Sequence, residues 1–467
     1  LSLINGTLDS FLHSSRNDAQ TIIDIALEYT EFGFYQKAIG LLELHHENPQ
    51  AACPVPNPMS ASYMTYILLA WLYHMDGHTE KSEQILSTQT TNDFDYFFPS
   101  RLQEVLILEW LIRLQPDHSL AAYGLGNFYF NVKRHQDAID IWGQATFYRC
   151  EYATLYRNLG IAFWNANNDG DMARSHFEQA VKLRPKDARI QFEYDQLRKK
   201  LNDDPLLRLE AVKTLGDLVI QRDDFSVELA ALYNRTAQYE QALKLIINRK
   251  FHPWEGGEGQ VLKQYSYACL KLGQQAMEAN DPATALSYFN KSLNTPDNLG
   301  EKYHPLQAVA HINYWKGKAY RALQQEAAAL EYFTQSATEQ GDFIDMAVSN
   351  FSELTFYKAL SLRELGNETE ASALLEQMRD FANKKLKAKA KIDYFATSLP
   401  LLLVFEDDIQ KKNLTEAYYL LGLAELGLGN YQKSEKHLKR VLQLHVMHIG
   451  AADSLTLVSN YKTETSK

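Results

Sequence analysis

Cysteine is nearly missing from this chain: Cys53, Cys150 and Cys269 are few, odd in number and far apart. No disulfide framework is expected from such a set, and a reducing, cytoplasmic compartment is. Helix breakers are also scarce, with 13 prolines and 22 glycines among 467 residues, so helix is expected nearly throughout. No long apolar run exists. The richest, Leu399 to Phe405, is far too short to cross a bilayer, so no membrane partner is expected, and it reads as a buried helix turn or a contact with another copy or domain. No cleavable leader pattern stands at the start. The chain opens on Leu1 rather than Met, and a fragment of something longer is expected.

A basic excess is lacking too. Lys plus Arg number 47 against 58 Asp plus Glu, a net charge of −11, which argues against sequence-independent nucleic-acid binding. No glycine-rich phosphate loop, dinucleotide fingerprint or nucleophile elbow occurs. No intrinsic catalytic constellation emerges, so neither enzymatic activity nor a cofactor is expected. His445 and His448 stand three apart, as two metal ligands could, but no third ligand follows at suitable spacing, and no metal is expected.

What is present is a pattern that returns about every 34 residues. The clearest copy has Tyr156, Leu159, Gly160, Phe163, Ala173, Phe177, Ala180 and Pro185. Small residues stand where two helices must approach closely, and large ones fill the space beside them. Other copies carry Ala26, Tyr29, Gly33, Ala38 and Leu42, then Ala122, Gly126, Tyr129, Ala138 and Trp142. Further on come Ala230, Tyr233, Ala242 and Ile246, then Leu272, Gly273, Ala285 and Phe289. Gly317, Tyr320, Ala329 and Phe333 follow, then Ala359, Leu362, Gly366 and Ala371, and last Leu421, Gly422, Ser434 and Leu438.

The pattern resembles the tetratricopeptide repeat. That resemblance implies an all-α fold: a right-handed superhelical solenoid of about nine or ten helix-turn-helix pairs. Residues 1–185 read as an N-terminal array and 186–225 as a divergent pair, Ala188 to Leu201 and Pro205 to Gln221. Residues 226–467 read as a C-terminal array continuing the same solenoid. Such an array implies a scaffold that holds a protein or peptide, or a domain of the same polypeptide N-terminal to it. On the concave face, Tyr123, Asn127, Asn158 and Asn313 are the candidate contacts.

One loop breaks the pattern. Residues 249–260 carry Phe251, His252, Trp254, Glu255 and Glu258 among three glycines, where a short polar turn is the norm. A flat apolar ring beside acceptors suits polyhydroxylated ligands, while the plainer reading has Phe251 and Trp254 plugging the seam between repeats. The run His252-Pro253-Trp254-Glu255-Gly256-Gly257-Glu258-Gly259 looks like one found in a family of large bacterial proteins. In that family a domain thought to resemble a sugar-binding β-sandwich precedes a repeat-rich C-terminal half. The resemblance implies a carbohydrate as an alternative ligand, or a neighbouring sugar-processing site that the loop completes. No alternating strand pattern of such a domain occurs in this chain. A second break, the lysine run from Lys384 to Lys391, reads as the solvated side of a helix.

Overall fold

The computed structural model describes residues 14–47, 61–88, 97–252, 254, 256–303, 307–339, 342–344, 347–390 and 404–465. The fold is all-α, and among the described residues ten helix pairs follow one another. Contacts divide the chain into two compact units, Leu1–Pro185 and Lys186–Lys467.

In the first unit, α1 (Ala19–Glu31) pairs with α2 (Tyr35–Glu47), and α3 (Ala61–Met75) with α4 (Thr79–Thr88). A single helix, α5 (Leu102–Leu114), precedes the pairs α6 (Ser119–Asn131) with α7 (His135–Phe147) and α8 (Ala153–Asn167) with α9 (Gly170–Leu183).

The second unit opens with α10 (Ala188–Lys200) and α11 (Pro205–Thr214), then a one-turn α12 (Asp217–Ile220). Four pairs follow: α13 (Asp223–Arg235) with α14 (Tyr239–Ile247), α15 (Gln260–Glu278) with α16 (Pro282–Leu293), α17 (Ala310–Ala322) with α18 (Glu326–Thr338), and α19 (Glu353–Glu364) with α20 (Glu368–Lys387). Then α21 (Ile409–Gly427) pairs with α22 (Tyr431–Leu444), and α23 (Ile449–Thr465) ends the described chain.

The repeating small residues have a direct steric meaning. A Cβ on Gly126 would fall 2.0 Å from Trp142 Nε1, and one on Gly160 2.5 Å from the Phe177 ring. Gly273 faces Phe289 at 2.3 Å, Gly317 faces Phe333 at 2.6 Å, and Gly422 faces Leu438 at 2.6 Å. In each pair the second helix thus lays one large side chain on bare backbone of the first. Phe177, Phe289 and Phe333 are wholly buried as a result. Stacking such pairs gives a core that continues from one repeat to the next.

A second regularity lies in the turns. Every one of the ten pairs has a left-handed residue between its helices: Gly33, Gly77, Lys133, Asn168, Asn202, Ala237, Asn280, Gln324, Gly366 and Gly429. The left-handed residue ends the first helix and satisfies its last carbonyls; Arg134 N–H, for example, reaches Tyr129 O at 2.8 Å. Capping aspartates then start many helices. Asp169 accepts from Met172 N, Asp204 from Leu206 and Leu207 N, and Asp281 from Thr284 N.

Three expectations need correction. The stretch Pro205 to Gln221 is not one helix: it breaks after Thr214, where Gly216 takes φ +54°. A small antiparallel hairpin, β1 (Asp342–Ile344) with β2 (Ala347–Ser349), interrupts the helices with Phe343 opposite Val348. Three-residue strands are too short to leave an alternating signature. Finally, the end of the Leu399 to Phe405 run is not helical: Phe405 is buried at 4% exposure in irregular backbone, and residues 399–403 lie outside the described ones.

Candidate functional site

Asn127 and Asn158 stand on α6 and α8, the first helices of consecutive pairs. The structure joins them: Asn158 Nδ2 donates to Asn127 Oδ1 at 3.1 Å. Asn127 Nδ2 donates in turn to Phe97 O at 3.4 Å, and Arg157 donates to Asn158 Oδ1 at 3.0 Å. Both amides are half-buried. An amide carries two donor hydrogens and two acceptor lone pairs, so this ladder retains capacity for a further partner. Tyr123, one turn before Asn127, is not available to a partner. It is 1% exposed, packs edge-on against Tyr152, and its carbonyl accepts from Trp142 Nε1 at 3.1 Å. Its position on the small-residue side of α6 makes it core. Asn313 stands half-buried on α17 in the second unit, between His311, whose pKa burial lowers to about 4, and the half-buried Tyr314.

The 249–260 loop is pinned on its inner side. Phe251 is 2% exposed, and its N–H donates to Asn298 O at 2.8 Å. Trp254 is half-buried in the same cluster, with Val261, Leu262 and Tyr265. Its indole rests on Gly257, where a Cβ would fall 1.9 Å from Cε2. Glu301 then accepts from the N–H groups of Gly259 and Leu262 at 2.7 and 2.8 Å, closing the start of α15. Both aromatics therefore fill the seam between α14 and α15. His252 is exposed and bound to Asp223 at 3.2 Å, and Glu258 is exposed. Glu255 lies outside the described residues.

The lysine run is largely solvated, with Lys384, Lys387 and Lys389 exposed, while Lys385 pairs with Glu416 at 2.9 Å. Cys150 and Cys269 are buried thiols whose pKa burial raises, that of Cys269 to about 11. Cys53 lies outside the described residues. Among the described residues no group of three His, Cys, Asp or Glu is placed to hold a metal ion, and no helix is long and apolar enough to cross a membrane.

Two features escaped the sequence reading. In the first unit a small cleft of about 100 Å³ opens between α1, α3 and α5, lined by Leu27, Thr30, Glu31, Trp71, Gln103, Leu106 and Ile107. Leu102 and Leu106 beside it are 70% and 62% exposed. Its walls come from three helices, so no single stretch of sequence announces it. In the second unit, tyrosines from several first helices meet carboxylates. Tyr267 donates to Asp453 at 2.6 Å, and Tyr419 to Glu353 at 3.0 Å. Burial, with the neighbouring carboxylate, raises the pKa of both phenols.

The tetratricopeptide-repeat family matches residues 107–149, 310–342 and 415–444. Among solved structures, YrrB, described as a TPR protein with an unusual peptide-binding site, is 15% identical with a TM-score of 0.31. The match covers 40% of this chain and 91% of that one. The C-terminal part of a TPR repeat-containing protein from Cytophaga hutchinsonii is 13% identical, TM-score 0.30, covering 71% and 99%. The P58(IPK) TPR domain is 9% identical, TM-score 0.23, covering 96% and 99%. The matched segments fall on α5 to α7, on α17 and α18, and on α21 and α22, and these segments match tetratricopeptide repeats.

Proposed function

We propose that this chain is a protein-interaction scaffold whose first unit holds an extended peptide, or a neighbouring domain of the same polypeptide, along α6 and α8. One observation carries the reading: the Asn127–Asn158 pair, two half-exposed amides joined at 3.1 Å on consecutive first helices. Amides spaced along successive repeats can pair with both N–H and C=O groups of an extended backbone, whatever its side chains. The test is selection from a displayed peptide library, followed by calorimetry on the Asn127→Ala/Asn158→Ala double variant. A selected peptide should bind at least tenfold more weakly to that variant. Unchanged affinity would sink the reading.

A carbohydrate at the 249–260 loop is the second reading, supported by the remaining exposure of Trp254 and of His252 and Glu258. Trp254→Ala should then abolish binding in a glycan panel while leaving peptide affinity intact.

A further inference from the structure

Helix α23 sits on α21 and α22 where the first helix of another repeat would stand, yet it also touches the far side of its unit. Tyr267 on α15 lies 186 residues before Asp453, and their side chains bond at 2.6 Å. Lys271, one turn further along α15, pairs with the same carboxylate at 3.3 Å. At the turn into α23, Arg235 Nε donates to Val446 O at 2.9 Å, and Val446 N–H donates to Asn202 Oδ1 at 3.2 Å. Gly450 lies under Tyr419, so close that a Cβ would stand 2.1 Å from the phenol oxygen and 3.4 Å from Glu353 Oε2. Tyr431 on α22 stacks on Tyr461 at 5.6 Å.

The face of α23 turned into the unit carries small residues and one carboxylate in its first turns, and the buried Val458 further along. Ala451 and Ser454 are buried beside Gly450 and Asp453, while Thr456, Ser459 and Asn460 on the other side are exposed. The walls opposite come from α13, α15, α19 and α21, first helices of their pairs. In a repeat array that inner face is the extended surface available to partners. Here the chain's own last helix fills it. The links of Asp453 to α15 are a hydrogen bond and an ion pair, which a competitor offering the same groups can replace one for one, while Val446 and Met447 before α23 pack with Leu209, Phe225 and Leu232.

We propose that α23 is a built-in occupant of the partner groove of the second unit. The partner that displaces it is a helix of the same chemistry: a small-residue face bearing one carboxylate at the place of Asp453. Asp453 meets Tyr267 and Lys271, the small face passes beneath Tyr419, and the groove stays closed until such a helix competes. This stands apart from the peptide site of the first unit, and its failure would leave the Asn127–Asn158 reading untouched.

The test uses the full chain carrying Gly450→Leu, which evicts α23 while leaving every groove residue in place. The probe is a fluorescent synthetic peptide spanning residues 446–465. It should bind the Gly450→Leu chain at least tenfold more tightly than the wild-type chain. Adding Tyr267→Phe and Lys271→Ala should then lower that affinity at least tenfold. Hydrogen exchange of the Gly450→Leu chain should rise within 449–465 and stay at wild-type levels in α15, α19 and α21. Loss of protection throughout the unit would overturn the proposal, because α23 would then be a permanent wall. So would a Gly450→Leu chain that ignores the peptide, or equal binding of a peptide carrying Asp453→Lys. Should Gly450→Leu fail to fold, Asp453→Lys in the full chain sets a cation against Lys271 and repeats the eviction. Failure of both variants to fold would likewise overturn the proposal.

Discussion

Individual residues bear two opposite kinds of constraint in each repeat. Where a first helix is bare, a second-helix side chain fills the gap, as Phe177 does over Gly160. Phe177 is fully buried, so Phe177→Ala should cost about 3–5 kcal/mol, read as a lower urea midpoint. A cost under about 1 kcal/mol would mean the pair does not depend on that contact. The turns carry the opposite constraint. Ala237 and Gln324 hold φ +59° and +62°, a region that costs an L side chain roughly 1–2 kcal/mol. Ala237→Gly and Gln324→Gly should therefore each stabilise the second unit by about 0.5–1 kcal/mol in urea unfolding, once the extra freedom of unfolded glycine is counted. Unchanged or lowered midpoints would contradict this. Gly33, Gly366 and Gly429 announce such turns in the sequence; Lys133, Ala237 and Gln324 do not. There the neighbouring helices impose a conformation that the residue itself disfavours.

Among the elements, the pairs were legible because their packing is local and periodic, and the closure by α23 was not. Tyr267 and Asp453 belong to separate repeats, and no spacing rule links them. The turn before α23 adds a pH dependence. Burial lowers His445 to about 4, with Lys199, Lys263 and Lys411 opposing its charge and Glu228 favouring it. Burial also lowers His448 to about 3, aided by His445, Lys263 and Arg235, and its ring lies 4.4 Å from that of Tyr419, tilted by 60°. Both would titrate at 6.5 when released, so the open form binds protons first. The stability they confer is complete above pH 6.5 and declines as pH falls toward 4 and then 3. The loss is at most on the order of 3 kcal/mol for His445 and 5 kcal/mol for His448. Hydrogen exchange in 443–465, corrected for intrinsic rate, should accelerate from pH 7 to pH 5, and His448→Phe should flatten that response. Equal acceleration in the variant would move the effect elsewhere.

For the 249–260 loop, composition made Trp254 conspicuous, and only the contact with Gly257 showed where its ring goes. The same limit applied to Tyr123: periodicity placed it on a first helix but could not choose its face, and packing against Tyr152 and Trp142 decided it.

At the scale of the molecule, two units built from the same repeat present different surfaces. The first offers the Asn127–Asn158 ladder and an apolar cleft lined by Trp71 and Leu106. The second has its inner face filled by its own last helix. Fold class was readable because each repeat restates it, whereas a ligand is stated once, by residues scattered over several repeats.

The most direct test is hydrogen exchange on the whole wild-type chain, with and without a library-selected peptide at saturating concentration. The scaffold reading predicts added protection in α6 and α8, around Asn127 and Asn158, with α15, α19 and α21 unchanged. Protection confined to the second unit, or none in α6 and α8, would contradict it.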